Sequence, residues 1–291
     1  MSDALAGRAA LVTGASRGLG LEIARSYLDE GVDGVCICGR DPAALEQATA
    51  KLRGHARAGQ QVLGEVADVS RPEHVSKLVE RAIAQLGEIT ILVCNAGVYG
   101  PKGPIARIDW REWVRAIEIN LLGSALPARE LTAHFARRGY GKILQLSGGG
   151  ATKPLAGLSA YAASKAAVVR LSETLAEELR EHHVDVNAIA PGPLNTRMLD
   201  EILLAGPGRV GDAYYQQALA QQRSGGASLR GAAELAVFLA SAASDGITGK
   251  LLSAVWDPWI ELPQHLDDLR SDVYTLRRIV PSDRGLEWGD A

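Results

Sequence analysis

Residues 13–20 read TGASRGLG, and the apolar run RAALVT at 8–13 leads into them. Three glycines, Gly14, Gly18 and Gly20, punctuate the turn, and a helical pattern near 18–30 follows it. Glycine here permits positive φ, lets the backbone approach a ligand, and lets a helix pack closely on a strand. The helix start aims unpaired N–H groups and the positive end of the dipole at any phosphate placed there. Three glycines alone mark any tight turn. A strand before and a helix after are the context that a dinucleotide-binding turn requires. Gly14, Ser16, Arg17, Gly18, Leu19 and Gly20 are therefore candidate contacts to a dinucleotide.

Outward from this turn, short Val/Ile/Leu-rich runs alternate with helical stretches. The runs lie at 8–13, 34–39, 60–66, 89–94, 141–147, 184–190 and 250–256. Their near-continuous apolar character suits strands buried on both faces. Helices are expected near 18–30, 42–53, 72–86, 109–137, 159–181 and 231–241. Asp41 before Pro42 is an N-cap before a first-turn proline, and Ser70 and Pro72 read similarly. Such alternation implies right-handed crossovers. The expected fold is an α/β, doubly wound (Rossmann) sheet of about seven parallel strands with helices on both faces. One domain is expected over 1–256, with a substrate lid near 193–230 where glycines surround short amphipathic helices. A C-terminal extension, 257–291, carries Trp259 and Trp288 and should pack on the domain or on a neighbouring subunit.

Composition narrows the function. The 291 residues are 47% hydrophobic and 22% charged, with a net charge of −3. That balance gives no footprint for nucleic acid or an anionic membrane surface. No apolar run reaches the length of a membrane span, and the start has no signal-peptide pattern. Cys36, Cys38 and Cys94 lack metal-ligand spacing and read as buried free thiols of a reducing, cytoplasmic compartment. No metal is expected.

At the end of the second run, Arg40 and Asp41 compete for the cofactor's ribose. An acid there would suit a free 2′-hydroxyl, whereas Arg grips a 2′-phosphate in bidentate fashion. Asp41 is accounted for as a helix cap. Arg40 and Arg17 together favour NADP(H), with NAD(H) as the alternative.

Tyr161 and Lys165 are four apart in a helical stretch, so they share one face. A phenol is a poor base near neutrality, and a nearby ammonium favours its ionised form. Alone, this spacing usually marks an ordinary amphipathic helix. In order along the chain, however, stand TGASRGLG, CNAG (94–97), EINLLGS (118–124), YAASK (161–165) and APGPLNT (190–196). This set resembles the short-chain dehydrogenase/reductase family, in its single-domain branch, over about residues 6–256. The resemblance implies an oxidoreductase that reduces a ketone or oxidises a secondary alcohol, with Tyr161 as general acid/base. It implies that Lys165 binds the nicotinamide ribose and lowers the tyrosine pKa, and that Asn120 anchors a water. Asn95, Ala96 and Gly97 would line the cofactor, Asp68 and Val69 would meet the adenine, and Pro191, Gly192 and Thr196 would hold the carboxamide side. It also implies a homodimer or homotetramer acting on a small-molecule carbonyl or alcohol. A redox-assisted epimerase or dehydratase is an alternative on the same fold.

One residue departs from the pattern. The family places a substrate-binding serine thirteen residues before the tyrosine, and here that position is Gly148, with Ser147 one residue earlier. Three readings stay open. Ser147 reaches the site through an extra loop residue; backbone N–H groups of Gly148, Gly149 and Gly150 donate instead; or the site is impaired and the protein is a nucleotide-binding regulator. Ser159 reads as a helix cap. Trp110 and Trp113 suit an interface or a core, and Tyr214 and Tyr215 suit either substrate contact or anchoring of a lid helix.

Overall fold

The structure is a computed structural model that describes residues 3–288. Seven strands form one all-parallel sheet: β1 (Ala9–Val12), β2 (Gly34–Gly39), β3 (Gln61–Val66), β4 (Ile91–Cys94), β5 (Gly141–Leu146), β6 (Val184–Ala190) and β7 (Leu251–Ser253). Their order is β3-β2-β1-β4-β5-β6-β7. The chain therefore winds outward in one direction from β1, then returns and winds in the other. A crevice opens at the carboxyl ends of the strands where the direction reverses, between β1 and β4.

Apolar side chains alternate between the two faces, as a pleated strand dictates. On one face, Val12, Ile37, Leu144 and Ile189 pack with α1 (Gly18–Asp29), α2 (Pro42–His55) and a late helix, Leu229–Ala240. On the other, Leu11, Cys36, Leu92 and Ile143 pack with α3 (Pro72–Leu86) and the helices that follow β4 and β5. The three cysteines are buried free thiols, all on this second face. No helix among the described residues is long and apolar enough to cross a membrane.

Local signals explain most boundaries. Asp41 accepts from the Ala43 and Ala44 amides and caps α2. Ser70 does not cap α3; Arg71 stands at that position, and the Ser70 hydroxyl turns back to Asp68. The single helix expected at 109–137 is two, α4 (Trp110–Ile117) and α5 (Gly123–Arg138), joined by a π turn over Glu118–Leu122. Such a widened turn often marks a functional position, and Asn120 lies in it. The fifth long helix, α6 (Ser159–Glu178), carries Tyr161 and Lys165. Ser159 does not cap it: the Ser159 hydroxyl accepts from the Trp113 indole at 3.1 Å.

The lid region holds three helices, α7 (Arg197–Ala205), α8 (Pro207–Val210) and α9 (Asp212–Ser224), before α10 (Leu229–Ala240). Leu199, Ile202, Val210 and Ala218 form a separate apolar cluster with Leu158 and Tyr161. The tail packs on its own domain. Leu262 and Leu269 join the core beside α10, and the Leu251 amide donates to the Tyr274 carbonyl along the outer edge of β7. Lys250 is buried there and donates to the Ser271 and Val273 carbonyls. Among the described residues, none of the tail lines the crevice.

Candidate active site

The crevice has a volume of about 650 Å³. Its floor is the turn after β1. Gly14 has φ +63°, and a Cβ there would stand 2.6 Å from the Ala96 Cα. A Cβ on Gly20 would meet the Asn95 amide nitrogen at 2.4 Å. These two glycines let the turn nest against the CNAG segment. Thr13, which the sequence reading did not single out, makes the joint: its hydroxyl accepts from the Asn95 and Ala96 amides at 3.1 and 3.2 Å. The Asn95 carboxamide donates to the Thr13 and Gly14 carbonyls, both at 3.0 Å.

Helix α1 begins without a side-chain cap, because Arg17 occupies its N-cap position. Its first-turn N–H groups therefore lack a side-chain acceptor where Gly14, Ser16, Gly18 and Leu19 line the crevice. Arg17 and Arg40 are exposed on the rim and make no ion pair among the described residues. A built anion cradle, two unpaired guanidiniums and a cavity of dinucleotide size fit a nicotinamide dinucleotide.

Asp68 and Val69 form the next part of the wall. Asp68 accepts from the Ser70 amide and hydroxyl at 3.1 and 2.7 Å, and pairs with Arg115 at 2.5 Å. Burial acts to raise this carboxyl, but Ser70 and Arg115 outweigh it and hold it below the ordinary range. The opposite end is lined by Pro191, Gly192 and Thr196.

Between these ends stand Asn95, Ala96, Gly97, Ser147, Tyr161 and Lys165. Lys165 is wholly buried, and its ammonium donates to the Leu146 carbonyl at 2.6 Å. Burial pushes its pKa down to about 8. Its nitrogen lies 5.9 Å from the centre of the Tyr161 ring. The net shift of Tyr161 is opposite to the lowering expected from a nearby ammonium. Burial, then the neighbouring Tyr214 phenol, pushes Tyr161 upward. The ammonium hydrogen-bonds the Leu146 carbonyl.

Gly20 and Asn120 do not line the cavity. Asn120 is fully buried behind it. Its carboxamide pairs with Val98, accepting from the amide at 2.8 Å and donating to the carbonyl at 2.9 Å, and also donates to Ser164. The π turn presents its backbone carbonyl to the Ser124 hydroxyl. Asn120 thus fixes the strand-to-loop turn after β4 and, through Ser164, the helix that carries Tyr161.

The serine question has a geometric answer. A Cβ at Gly148 would lie 2.1 Å from the Tyr161 hydroxyl oxygen, so only glycine fits beneath it. The Ser147 amide still bonds the Ile189 carbonyl, continuing the β5 ladder. Its side chain is buried in the crevice wall, and its hydroxyl has no hydrogen-bond partner. None of Gly148, Gly149 and Gly150 lines the cavity. Tyr99, not singled out from sequence, packs its ring 4.7 Å from that of Tyr161. Tyr214 reaches both phenols from α9.

A model of the short-chain dehydrogenase family matches residues 8–205. The chain belongs to that family. It is an oxidoreductase of the short-chain dehydrogenase/reductase type, and the family binds NAD(P). The chain is 32% identical to a cis-4-hydroxycyclohexanecarboxylate dehydrogenase of Sinomonas cyclohexanicum, over 87% of this chain and 97% of that one. Among solved structures it resembles a gluconate 5-dehydrogenase of Burkholderia cenocepacia in complex with NADP and tartrate. The two share 28% identity with a TM-score of 0.75, over 86% of this chain and 94% of the other. An NAD⁺-bound xylitol dehydrogenase matches at 27% identity and a TM-score of 0.78, over 86% of this chain and 98% of the other. This short-chain dehydrogenase shares the overall fold of both.

Proposed function

We propose that the protein interconverts a ketone and a secondary alcohol with NADP(H), and that Tyr161 exchanges the proton with the substrate oxygen. The observation that carries this reading is that one crevice is lined by a buried phenol, a buried ammonium and Ser147, whose hydroxyl has no hydrogen-bond partner among the described residues. A nicotinamide dinucleotide bound in the crevice would supply the hydride exchange. Tyr161, held protonated by burial, donates to an oxygen on which negative charge develops. Lys165, poised near neutrality, stabilises the phenolate that this leaves. Ser147 donates the second hydrogen bond to the oxygen, so the glycine at 148 makes room for the tyrosine rather than impairing the site. Arg40 and Arg17, without carboxylate partners, would meet a 2′-phosphate.

The test is Tyr161→Phe. It should lower kcat by about 10²–10⁴ and leave NADPH binding, followed by its fluorescence, intact. Undiminished turnover would refute the assignment.

A further inference from the structure

The wall of the crevice already holds a carboxylate, and it is the protein's own. Glu201 on α7 lies between two cations. One oxygen is 3.1 Å from the Lys102 ammonium, and the other is 4.0 Å from the Arg197 guanidinium. Glu201 and Arg197 both line the cavity. Lys102 comes from the loop after β4, and its side chain is only 13% exposed. Its other acceptor is the Gly100 carbonyl at 3.3 Å.

This site lies one aromatic ring from the reacting hydroxyl. Lys102 stands 5.7 Å from the centre of the Tyr99 ring, whose other neighbour is Tyr161 at 4.7 Å. Tyr161 is 8% exposed, covered by the apolar lid cluster and approached by Tyr214. A substrate that reaches the hydroxyl from the crevice passes beside this lid cluster. Among the described residues, Lys102–Glu201 is the only ion pair joining the lid helices 197–224 to the rest of the fold. When α7 moves out, Glu201 leaves with it, and a largely buried ammonium loses its counter-charge. Such a loss is costly unless another anion takes the place.

We propose that Glu201 is a stand-in for a carboxylate on the substrate. This rests on the reading of Tyr161 given above. The substrate class is an oxo acid or its hydroxy acid. Its carboxylate takes over Lys102 as Glu201 swings aside, while its carbonyl meets Tyr161 across the Tyr99 ring. A neutral ketone would leave Lys102 unpaired and is disfavoured.

The probes are 4-oxopentanoate and its methyl ester, which share a ketone and differ in charge. Dissociation constants for both are measured on the NADP⁺ complex by tryptophan fluorescence, and kcat/KM with NADPH. The wild type should prefer the acid by about tenfold or more, the scale of one charge-assisted contact. Lys102→Met should bring the acid-to-ester ratio close to one, and Lys102→Arg should restore the preference. Glu201→Gln, which removes the internal competitor, should tighten the acid. Equal or undetectable binding of the two probes to the wild type overturns the proposal. So does a Lys102→Met variant that weakens both alike, because that is the signature of a merely structural latch. Tyr161→Phe separates the two readings: it should lower kcat by about 10²–10⁴ and keep the binding preference. Turnover that survives it undiminished, with the preference intact, sinks the tyrosine assignment alone.

Discussion

Two lysines lie buried at opposite ends of the same sheet, and their surroundings differ. Lys142, at the start of β5, is fully buried, yet it meets Asp185 at 2.6 Å and Asp245 at 2.7 Å. Asp185 is its register partner on β6. Nearby, Arg8 is engaged by the Tyr140 hydroxyl and the Ala240 carbonyl. Lys165, beside the end of β5, has one neutral carbonyl. At the lower end, then, Lys142 is matched by two carboxylates of the fold. At the upper end, among the described residues, Lys165, Arg17 and Arg40 have no carboxylate and the Ser147 hydroxyl has no partner. A fold tolerates unmatched polar groups where a ligand is to supply the match.

Four measurements sharpen or break this contrast. The largest effect is expected from Lys142→Met. It strands Asp185, whose carboxyl burial already raises against the pull of Lys142. Urea denaturation should show a loss of about 3–5 kcal/mol, the usual cost of breaking a buried pair. Lys165→Met should show no such loss, and equal losses would erase the distinction. Next, Ser147→Ala should lower kcat by about 10²–10³ with little change in stability, as removal of one oxyanion donor does. Near wild-type turnover would return the role to the glycine backbone.

The third measurement is a pH profile of stability. The Lys165 pKa falls from 10.5 to about 8 on folding. Between those values the unfolded chain holds more protons, so stability should rise with pH, by about 3 kcal/mol over the window. Below pH 8 both states are protonated and the penalty is fully present. Lys165→Met should lack this rise, and a wild type without it would contradict the assigned burial. The smallest effect is at the rim. Arg40→Asp should shift the NADP(H)-to-NAD(H) ratio of kcat/KM by about tenfold or more, as loss of a charged hydrogen bond would. An unchanged ratio would mean that Arg40 is not the phosphate ligand.

Much of the fold was legible because strands buried on both faces leave apolar runs, and because Asp41 and the glycines near 14–20 mark boundaries locally. The π turn was not, since EINLLGS has a helical composition and only the hydrogen-bond ladder reveals the wider spacing. The crevice residues of TGASRGLG, CNAG and APGPLNT came together because each of these motifs lies at the end of a strand, and YAASK joins them from α6. Tyr99, Lys102 and Glu201 stayed hidden, since their association is made by a loop and a helix distant in sequence. The direction of the Tyr161 shift also escaped, because spacing shows a nearby cation but not the water that burial removes.

The strap at the outer edge of β7 has its own consequence. Lys250 and Leu251 are satisfied by residues 271–274, beyond the stretch that carries the catalytic pattern. A protein trimmed to its first 256 residues would keep every group of the crevice and yet present a raw selvedge, open to strand addition from a neighbour. Chimeras that graft this catalytic unit elsewhere should take the hem with the cloth.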